Sequence, residues 1–180
     1  MATNSLQHLG SQLSNRCETV GTFTLRSGST SDRYFDKYQF ESDPELLRRI
    51  CSALVSLIPD ETECLAGLEM GGIPIAVGLS LETDLPVAFV RKEVKAYGTE
   101  RLVEGFNVEG RQTLVIEDVV TSGGQIITSV GDLRHLGAAV DCALCVIDRQ
   151  VGGFDNLADC GVLLKPLFGV DNLQAEAISG

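Results

Sequence analysis

Apolar positions repeat along the chain in two rhythms, one of three to four residues and one of two, which predict helices and strands respectively. Leucines spaced three and four apart predict a short amphipathic helix over residues 1–16. The next apolar segments, Val20–Leu25 and the aromatic-rich Tyr34–Tyr38, predict strands. Asp43 and Pro44 then predict a helix start, because an acid at the N-cap and a proline at the first helical position both favour initiation.

The rest of the chain continues this alternation. Strands are predicted at Glu63–Leu68, Pro86–Val90, Val140–Ile147 and Val162–Leu164, a helix ends near Thr83, and a last helix lies near Asp171–Ala177. Between them, Leu114–Gln125 has the pattern of a buried strand, a tight loop and the start of a helix. Residues 96–110 hold several glycines and no sustained apolar period, so we expect a long mobile loop there.

Strands that alternate with helices predict an α/β fold with a mostly parallel central sheet flanked by helices. Four polar or glycine-rich segments each follow a predicted strand, namely Glu69–Gly72, Arg91–Lys95, Glu117–Gln125 and Asp148–Arg149. Ligands of such sheets bind at the carboxyl ends of the strands, so we expect these segments to meet. No internal repeat or linker is visible, and we expect a single domain over residues 1–180.

Composition narrows the range of partners. The formal net charge of −11 disfavours binding to nucleic acid and to anionic membrane surfaces. No apolar run reaches the roughly 18 residues of a membrane span, and the first 25 residues lack a secretory pattern, so we expect a cytoplasmic protein. The few cations of an acidic protein that binds phosphate should be gathered locally, which makes the positions of Lys and Arg informative.

Six cysteines raise the question of a metal or disulfide site. Only Cys142 and Cys145 have C-x-x-C spacing, and they lie within a predicted strand. Residues three apart in a strand point to opposite faces, so the two thiols should not converge. We therefore expect free, buried thiols in a reducing compartment.

The loop after the strand of Leu114–Gln125 is suited to a phosphate. Its small residues let the backbone approach a ligand, and its N–H groups point outward at the start of a helix. The acids Glu117 and Asp118 at its entrance suit ribose hydroxyls or a hydrated Mg²⁺. The chain has neither the G-x-x-x-x-G-K-[ST] of a P-loop nor a G-x-G-x-x-G after a strand, which excludes two familiar phosphate-binding patterns.

The run from Glu117 to Gly124 resembles the phosphoribosyl-pyrophosphate (PRPP) signature of the type I phosphoribosyltransferases. The segment from Arg91 to Gly98 is similar to the R-K-E-x-K-x-[H/Y]-G catalytic loop of the orotate phosphoribosyltransferases. The likeness extends in order over about residues 20–152. It implies the fold of that family, in which N-terminal elements form a small hood, and the transfer of phosphoribose from PRPP to orotate.

This resemblance also implies roles for individual residues. Lys95, Arg91 and Asp118 are the implied catalytic residues. PRPP would contact Gly71, Gly72, Arg91, Lys92, Lys95, Tyr97, Glu117, Asp118, Val119, Val120, Thr121, Ser122, Gly123, Gly124 and Gln125. Orotate would contact Arg26, Tyr34, Phe35, Thr121 and Arg149. Judged from their own segment alone, core packing is the favoured role of Tyr34 and Phe35 over a contact with a flat ring.

The family further implies Mg²⁺ held mainly through substrate and water, with no direct protein ligand, and a homodimer that shares the catalytic loop between subunits. Two departures leave base specificity open: Arg26 where many members have Lys, and a first loop without a basic residue before its second glycine. A third departure is Tyr97 where many members have His, since Tyr donates a hydrogen bond but carries no positive charge at neutral pH. A transferase acting on another base, and a regulatory protein that senses PRPP or nucleotides, are therefore the alternatives.

Overall fold

The computed structural model describes residues 2–24, 28, 30–93 and 101–174. Its helices are α1 (Ala2–Cys17), α2 (Tyr38–Glu41), α3 (Pro44–Leu54), α4 (Gly72–Thr83), α5 (Gly124–His135), α6 (Gly153–Asp159) and α7 (Val170–Gln174), with a 3-10 turn at Val55–Leu57. Its strands are β1 (Glu18–Thr24), β2 (Thr30–Phe35), β3 (Cys64–Leu68), β4 (Val87–Val90), β5 (Val103–Gly105), β6 (Thr113–Val120), β7 (Cys142–Asp148) and β8 (Leu163–Gly169). None of the described helices is long and apolar enough to cross a membrane.

The main sheet of the described chain has the strand order β5-β4-β3-β6-β7-β8. All neighbouring pairs are parallel except β4 and β5, which are antiparallel. Helices cover both faces of the sheet, so every residue of the central strands β3 and β7 is buried. The predicted α/β fold with a mostly parallel sheet is confirmed.

Two apolar clusters lie on opposite faces of this sheet. One joins the sheet to α1, α3 and α4 and includes Leu13, Ile50 and Leu79. The other joins it to α5 and α6 and includes Leu133 and Leu157. Cys142 belongs to the first cluster and Cys145 to the second, which confirms that the two thiols do not converge.

A small N-terminal unit, which we call the hood (residues 18–41), precedes the main sheet. In it β1 and β2 pair as an antiparallel hairpin with a register shift between Val20 and Phe23. The N–H of Asp36 donates to the carbonyl of Cys17 at 2.8 Å, so the end of the hairpin is held against the end of α1. The short helix α2 follows and buries Phe40 completely.

Several predicted boundaries were wrong for local reasons. The segment expected to be a loop from residue 96 contains β5, which has only three residues and is too short for a period to show. Tyr38 begins a helix instead of ending a strand, and α6 was missed because its seven residues hold little apolar pattern. The last strand is longer than predicted because Lys165 and Pro166 interrupt its pattern, and proline is tolerated at a sheet edge.

Candidate functional site

The carboxyl ends of β4, β3, β6 and β7 are neighbours at one edge of the sheet. They carry, in that order, Arg91 and Lys92, the loop Glu69–Gly72, the run Glu117–Gln125 and the turn Asp148–Arg149. The expectation that these four segments meet is therefore confirmed. One detail differs, because Glu117 and Asp118 lie within β6 and not in the loop that follows it.

The loop between β6 and α5 presents the start of a helix to this edge. Gly123 is the N-cap residue and has φ +77°, a left-handed conformation that a residue with a side chain rarely adopts. No side chain in the described part of the chain caps α5. The first N–H groups of a helix have no partner within it and carry the positive end of the helix dipole, so this terminus is suited to an anion.

Helix α6 supports the loop from behind. Asn156 donates a hydrogen bond of 2.9 Å from Nδ2 to the carbonyl of Ser122. Gly153 lies so close that a Cβ there would stand 2.5 Å from the carbonyl oxygen of Thr121, and Leu157 packs against Gly123. Sequence reasoning missed this support, and the glycines at 152 and 153 were the available signal.

The two acids of β6 are buried at the edge of the site. Glu117 is 8% exposed and Asp118 is 1% exposed. The Asp118 N–H donates to Glu117 Oε1 at 3.0 Å, so the side chain of Glu117 folds back along its own strand. Asp118 Oδ1 accepts from the N–H of Val119, and Oδ2 forms an ion pair with Lys37 Nζ.

The hood thus reaches the site through Lys37, which sequence reasoning did not assign to it. Glu41 of α2 also faces Asp118, and its Oε1 is buried without a hydrogen bond from any described residue. Both Glu41 Oε1 and Asp118 Oδ2 lie against Gly71, where a Cβ would overlap the Asp118 carboxyl and stand 2.6 Å from Glu41 Oε1. The local sequence gave no sign of this contact because residues 37, 41, 71 and 118 are brought together only by the fold.

The charges of this cluster follow from its burial. Burial, and then the hydrogen bond and charge of Asp118, raise the pKa of Glu41 from 4.5 to about 8. Burial and the adjacent Asp118 also raise the pKa of Glu117 well above its ordinary value. Burial alone would raise the pKa of Asp118, but hydrogen bonds with Glu41, Glu117 and Lys37 outweigh it and lower that pKa. Burial opposes the charge of Lys37, yet its pKa is raised by Asp118 and the neighbouring acids. The arrangement therefore concentrates the negative charge on Asp118.

The first loop needs glycine for packing. A Cβ at Gly72 would overlap the carbonyl oxygen of Ile116, so this glycine lets the loop lie directly on β6. Because neither Gly71 nor Gly72 has a side chain, the loop lies directly against Glu117 and Asp118 of β6. Glu69 Oε2 accepts a hydrogen bond of 3.1 Å from the N–H of Lys92, which ties the loop to the cationic segment.

The cationic segment leaves the sheet at the end of β4. The Arg91 N–H donates to the carbonyl of Leu102 at 2.9 Å, and Arg91 Nε is buried without a partner among the described residues. Lys92 is exposed. Lys95 and Tyr97, and also Arg26 of the hood, lie outside the described residues, so their assigned roles stay predictions.

Arg149 stands on a fixed turn after β7. Its N–H donates to the carbonyl of Val120 at 2.8 Å. The buried carboxylate of Asp148 accepts from the N–H of Gln150 at 2.9 Å, and Gln150 has φ +55°. Gln150 Oε1 in turn accepts from the N–H of Asp171 at 3.3 Å. The backbone of Arg149 is thereby held next to the loop between β6 and α5, and its side chain is exposed.

Other assigned residues divide between the core and the surface. Phe35 packs against the larger apolar cluster, whereas Tyr34 is half exposed and pairs with Phe23 at a ring distance of 5.4 Å. The side chains of Val119 and Val120 pack in opposite clusters, which leaves only their backbone for a ligand. Thr121, Ser122, Gly124 and Gln125 are exposed at the start of α5.

Known proteins share both the sequence and the fold. The family model described as "Phosphoribosyl transferase domain" matches residues 39–172. An orotate phosphoribosyltransferase of Nocardioides sp. is 46% identical over 164 residues, which is 91% of this chain and 92% of the relative. An orotate phosphoribosyltransferase of Methanocella arvoryzae is 43% identical over 147 residues, or 82% and 84% of the two chains.

Solved structures agree with these relatives. The orotate phosphoribosyltransferase of Aeropyrum pernix superposes with a TM-score of 0.80 at 29% identity and covers 100% of this chain and 99% of its own. The corresponding protein of Mycobacterium tuberculosis gives a TM-score of 0.83 at 27% identity, over 94% and 98% of the two chains. The chain belongs to the orotate phosphoribosyltransferases, within the phosphoribosyltransferase family.

Proposed function

We propose that this protein transfers the 5-phosphoribosyl group of PRPP to orotate, giving orotidine 5′-monophosphate and pyrophosphate in pyrimidine biosynthesis. The observation that carries the proposal is the meeting of an uncapped helix start, a buried anionic acid and two exposed or partly exposed arginine positions at one sheet edge. Each part suits a different portion of the two substrates. We take residues 1–180 to act as one domain.

The 5′-phosphate would bind at the start of α5. Backbone N–H groups of Thr121–Gly124 and the Thr121 hydroxyl would hold it, with the dipole of the helix adding to the attraction. The ribose hydroxyls would then lie toward β6, where Glu117 and Asp118 stand. Asn156 keeps the loop in place without touching the phosphate itself.

The pyrophosphate would lie toward β4 and the first loop. Arg91, Lys92 and Lys95 supply the positive charge that it needs, and the loop with Gly71 and Gly72 lies between this segment and β6. Arg91 suits this role because its guanidinium nitrogen Nε has no hydrogen-bond partner among the described residues. Tyr97 would donate a hydrogen bond to the same group.

Orotate would bind on the other side of the ribose. Its carboxylate matches the planar fork of donors on Arg149, which the turn after β7 holds beside Thr121. Arg26, Tyr34 and Phe35 of the hood are the further candidates for this contact. Of the two aromatic residues, Tyr34 has the more exposed ring.

The reaction breaks the bond between C1′ and the pyrophosphate oxygen and forms one between C1′ and N1 of orotate, which gives up its N1 proton to the solvent or the departing pyrophosphate. Positive charge develops on the ribose ring while negative charge leaves with the pyrophosphate. The residues act by position and electrostatics, with Asp118 beside the ribose and the cations of the 91–95 segment at the leaving group. By family resemblance Lys95 is the cation nearest the bond that breaks.

Mg²⁺ is the expected cofactor, and the acids fit an ion that arrives with the substrate. Both oxygens of Asp118 are already engaged, by Val119 and Lys37, which favours contact through water over direct ligation. The ion would neutralise the pyrophosphate when bound. The protein's own residues would bind and orient the two substrates and exclude water from them.

We further propose a homodimer that exchanges the catalytic loop, in the cytoplasm. Leu81 is 82% exposed and Met70 is 56% exposed, and Val77 on α4 is exposed as well. These apolar side chains are suited to a partner of the same chain. Six free cysteines suit a reducing compartment. Mixing Lys95→Ala chains with Asp118→Asn chains tests the exchange, because recovered activity requires sites built from two subunits.

Steady-state assays with Mg²⁺ and PRPP test the function. Orotate should be the base that is consumed, and uracil, adenine and hypoxanthine should not. Turnover of a different base would establish the second candidate, which the departures at Arg26 and in the first loop motivate. PRPP binding without turnover of any base would favour a sensing role.

A further inference from the structure

The ion pair between Lys37 and Asp118 is not explained by the proposed roles of the substrate-binding segments. Asp118 is 1% exposed and the Lys37 side chain is 34% exposed, so the pair lies largely out of water. The ion pair of Arg111 and Glu63 is a contrast, since its side chains are 50% and 43% exposed. Exposed pairs contribute little, whereas removing one member of a buried pair leaves a charge without compensation.

Glu41 supplies a second unusual contact to the same carboxylate. Its Oε1 and Asp118 Oδ2 are both buried and accept no conventional hydrogen bond from the described residues. They lie against the same point beside Gly71. Two carboxyl groups can share such a site only if one of them holds a proton, which it then donates to the other. Burial of Glu41 favours its protonated form, and Lys37 stabilises Asp118 as an anion. The shared proton therefore resides on Glu41.

The contacts to Asp118 determine the charge and the orientation of its carboxylate. A carboxylate has about four acceptor positions. In this site the Val119 N–H occupies one at Oδ1, and Lys37 and Glu41 converge on Oδ2. Glu117 also hydrogen-bonds Asp118, so contacts from the hood and from β6 together fix the direction of its carboxylate.

We propose that Lys37 and Glu41 are positioning residues for Asp118, which hold its carboxylate charged and in place beside the ribose of PRPP. This inference rests on the proposed function and deepens it. It gives the hood a role in the ribose site that is separate from any contact with the base. Neither residue needs to touch the substrate.

The groups that face Asp118 come from several elements. Lys37 and Glu41 belong to the hood, with Asp36 acting on Glu41 from the same segment. Glu117 is the neighbour on β6. Burial, and then nearby carboxylates that include Asp118, raise the pKa of Cys145 on β7. A change of pH dependence after mutation must therefore be compared with the wild type across the same series of pH values.

The test compares Lys37→Met, Lys37→Arg, Glu41→Ala and Glu41→Gln with the wild type. PRPP affinity is measured by calorimetry without orotate, and kcat and KM are measured from pH 5 to 9. Lys37→Met should weaken PRPP binding about ten- to hundredfold, as expected for a lost hydrogen bond to a charged group. It should also move the acidic limb of kcat/KM for PRPP to higher pH and leave KM for orotate within about twofold.

Conservative variants separate positioning from mere packing. Lys37→Arg should restore PRPP affinity to within about threefold of the wild type, and Glu41→Gln, which keeps a donor, should bind PRPP more tightly than Glu41→Ala. The control Arg111→Met removes an exposed pair remote from the site and should change neither constant. If Lys37→Met does not fold, the comparison of Glu41→Gln with Glu41→Ala decides the same question.

The inference is overturned if Lys37→Met binds PRPP within about twofold of the wild type with the same pH profile, or if Lys37→Arg restores folding but not affinity. Equal PRPP affinities for Glu41→Gln and Glu41→Ala would also overturn it. Failure of the wild type to turn over orotate would instead contradict the proposed function. The ratios of PRPP affinity decide the positioning role in either case.

Discussion

The backbone N–H of Arg149 donates a hydrogen bond of 2.8 Å to the carbonyl oxygen of Val120, at the end of the strand that leads into the loop before α5. The proposed contact with the base and the proposed contact with the 5′-phosphate are thus joined through the backbone. The separation of these two backbone positions is set by the sheet. This fixed separation suits two substrates that react with each other at one carbon atom, C1′ of PRPP.

Arg149→Met should raise KM for orotate by at least about tenfold, because the charge-assisted contact with the orotate carboxylate is lost. PRPP affinity should stay within about twofold of the wild type. Arg149→Lys keeps the charge without the planar fork, so its KM for orotate should lie between those of the wild type and Arg149→Met. Steady-state kinetics with each substrate varied in turn checks this, and equal losses for both substrates would contradict the assignment.

Asn156→Ala should weaken PRPP binding about threefold to tenfold and lower the free energy of unfolding by about 1 kcal/mol. The reason is the lost hydrogen bond from Asn156 to the carbonyl of Ser122, which holds the loop from behind. Calorimetry with PRPP and urea unfolding measure the two effects. Unchanged PRPP affinity would show that the loop keeps its shape without α6.

Gly71→Ala should reduce kcat/KM for PRPP by about a hundredfold or more, since a Cβ there overlaps the carboxyl of Asp118 and must displace it. Gly131→Ala is the matched control. A Cβ at Gly131 meets nothing within 4 Å, and Ala is the better helix former, so this variant should be stabilised by up to about 1 kcal/mol with unchanged kinetics. Near-normal activity of Gly71→Ala would contradict the placement of Asp118.

The raised pKa of Glu41 predicts a specific dependence of stability on pH. The folded protein keeps the Glu41 proton up to about pH 8, whereas the unfolded chain loses it near its ordinary pKa of 4.5. This contribution to stability is therefore full below pH 4.5, falls as the pH rises, and is gone above about pH 8. Glu117 acts in the same direction, since its pKa is raised too.

Glu41→Gln should flatten part of the stability decline between pH 5 and 8, because its amide does not titrate. Urea midpoints at five pH values check this, with Glu61→Gln, at an exposed position, as the control that also removes one negative charge. A variant curve parallel to that of the wild type would show that Glu41 titrates normally.

The sequence was sufficient for the parts of the fold that depend on local pattern. The apolar runs of β3, β6 and β7 and the start of α3 at Asp43 and Pro44 were predicted, because burial on both faces and helix capping leave a local signal. The meeting of four loops followed from the rule for parallel sheets. These features fixed the edge of the sheet at which to look for a site.

The contacts of Lys37 and Glu41 with Asp118 could not be predicted in the same way. Lys37 was read as part of a strand, although the chain turns into α2 at Tyr38. Its partner lies on a strand distant in sequence, and only the packing of the hood on the main sheet brings them together. Helix α6 is not predicted for a related reason, since it packs behind the loop between β6 and α5, a contact that only the fold creates.

The base specificity of the wild-type protein is the decisive measurement for the proposed transfer to orotate. With Mg²⁺ and PRPP present, we expect orotidine 5′-monophosphate and pyrophosphate to form from orotate, with no turnover of uracil, adenine or hypoxanthine. Absence of product from orotate, under conditions in which calorimetry shows that PRPP is bound, would contradict it.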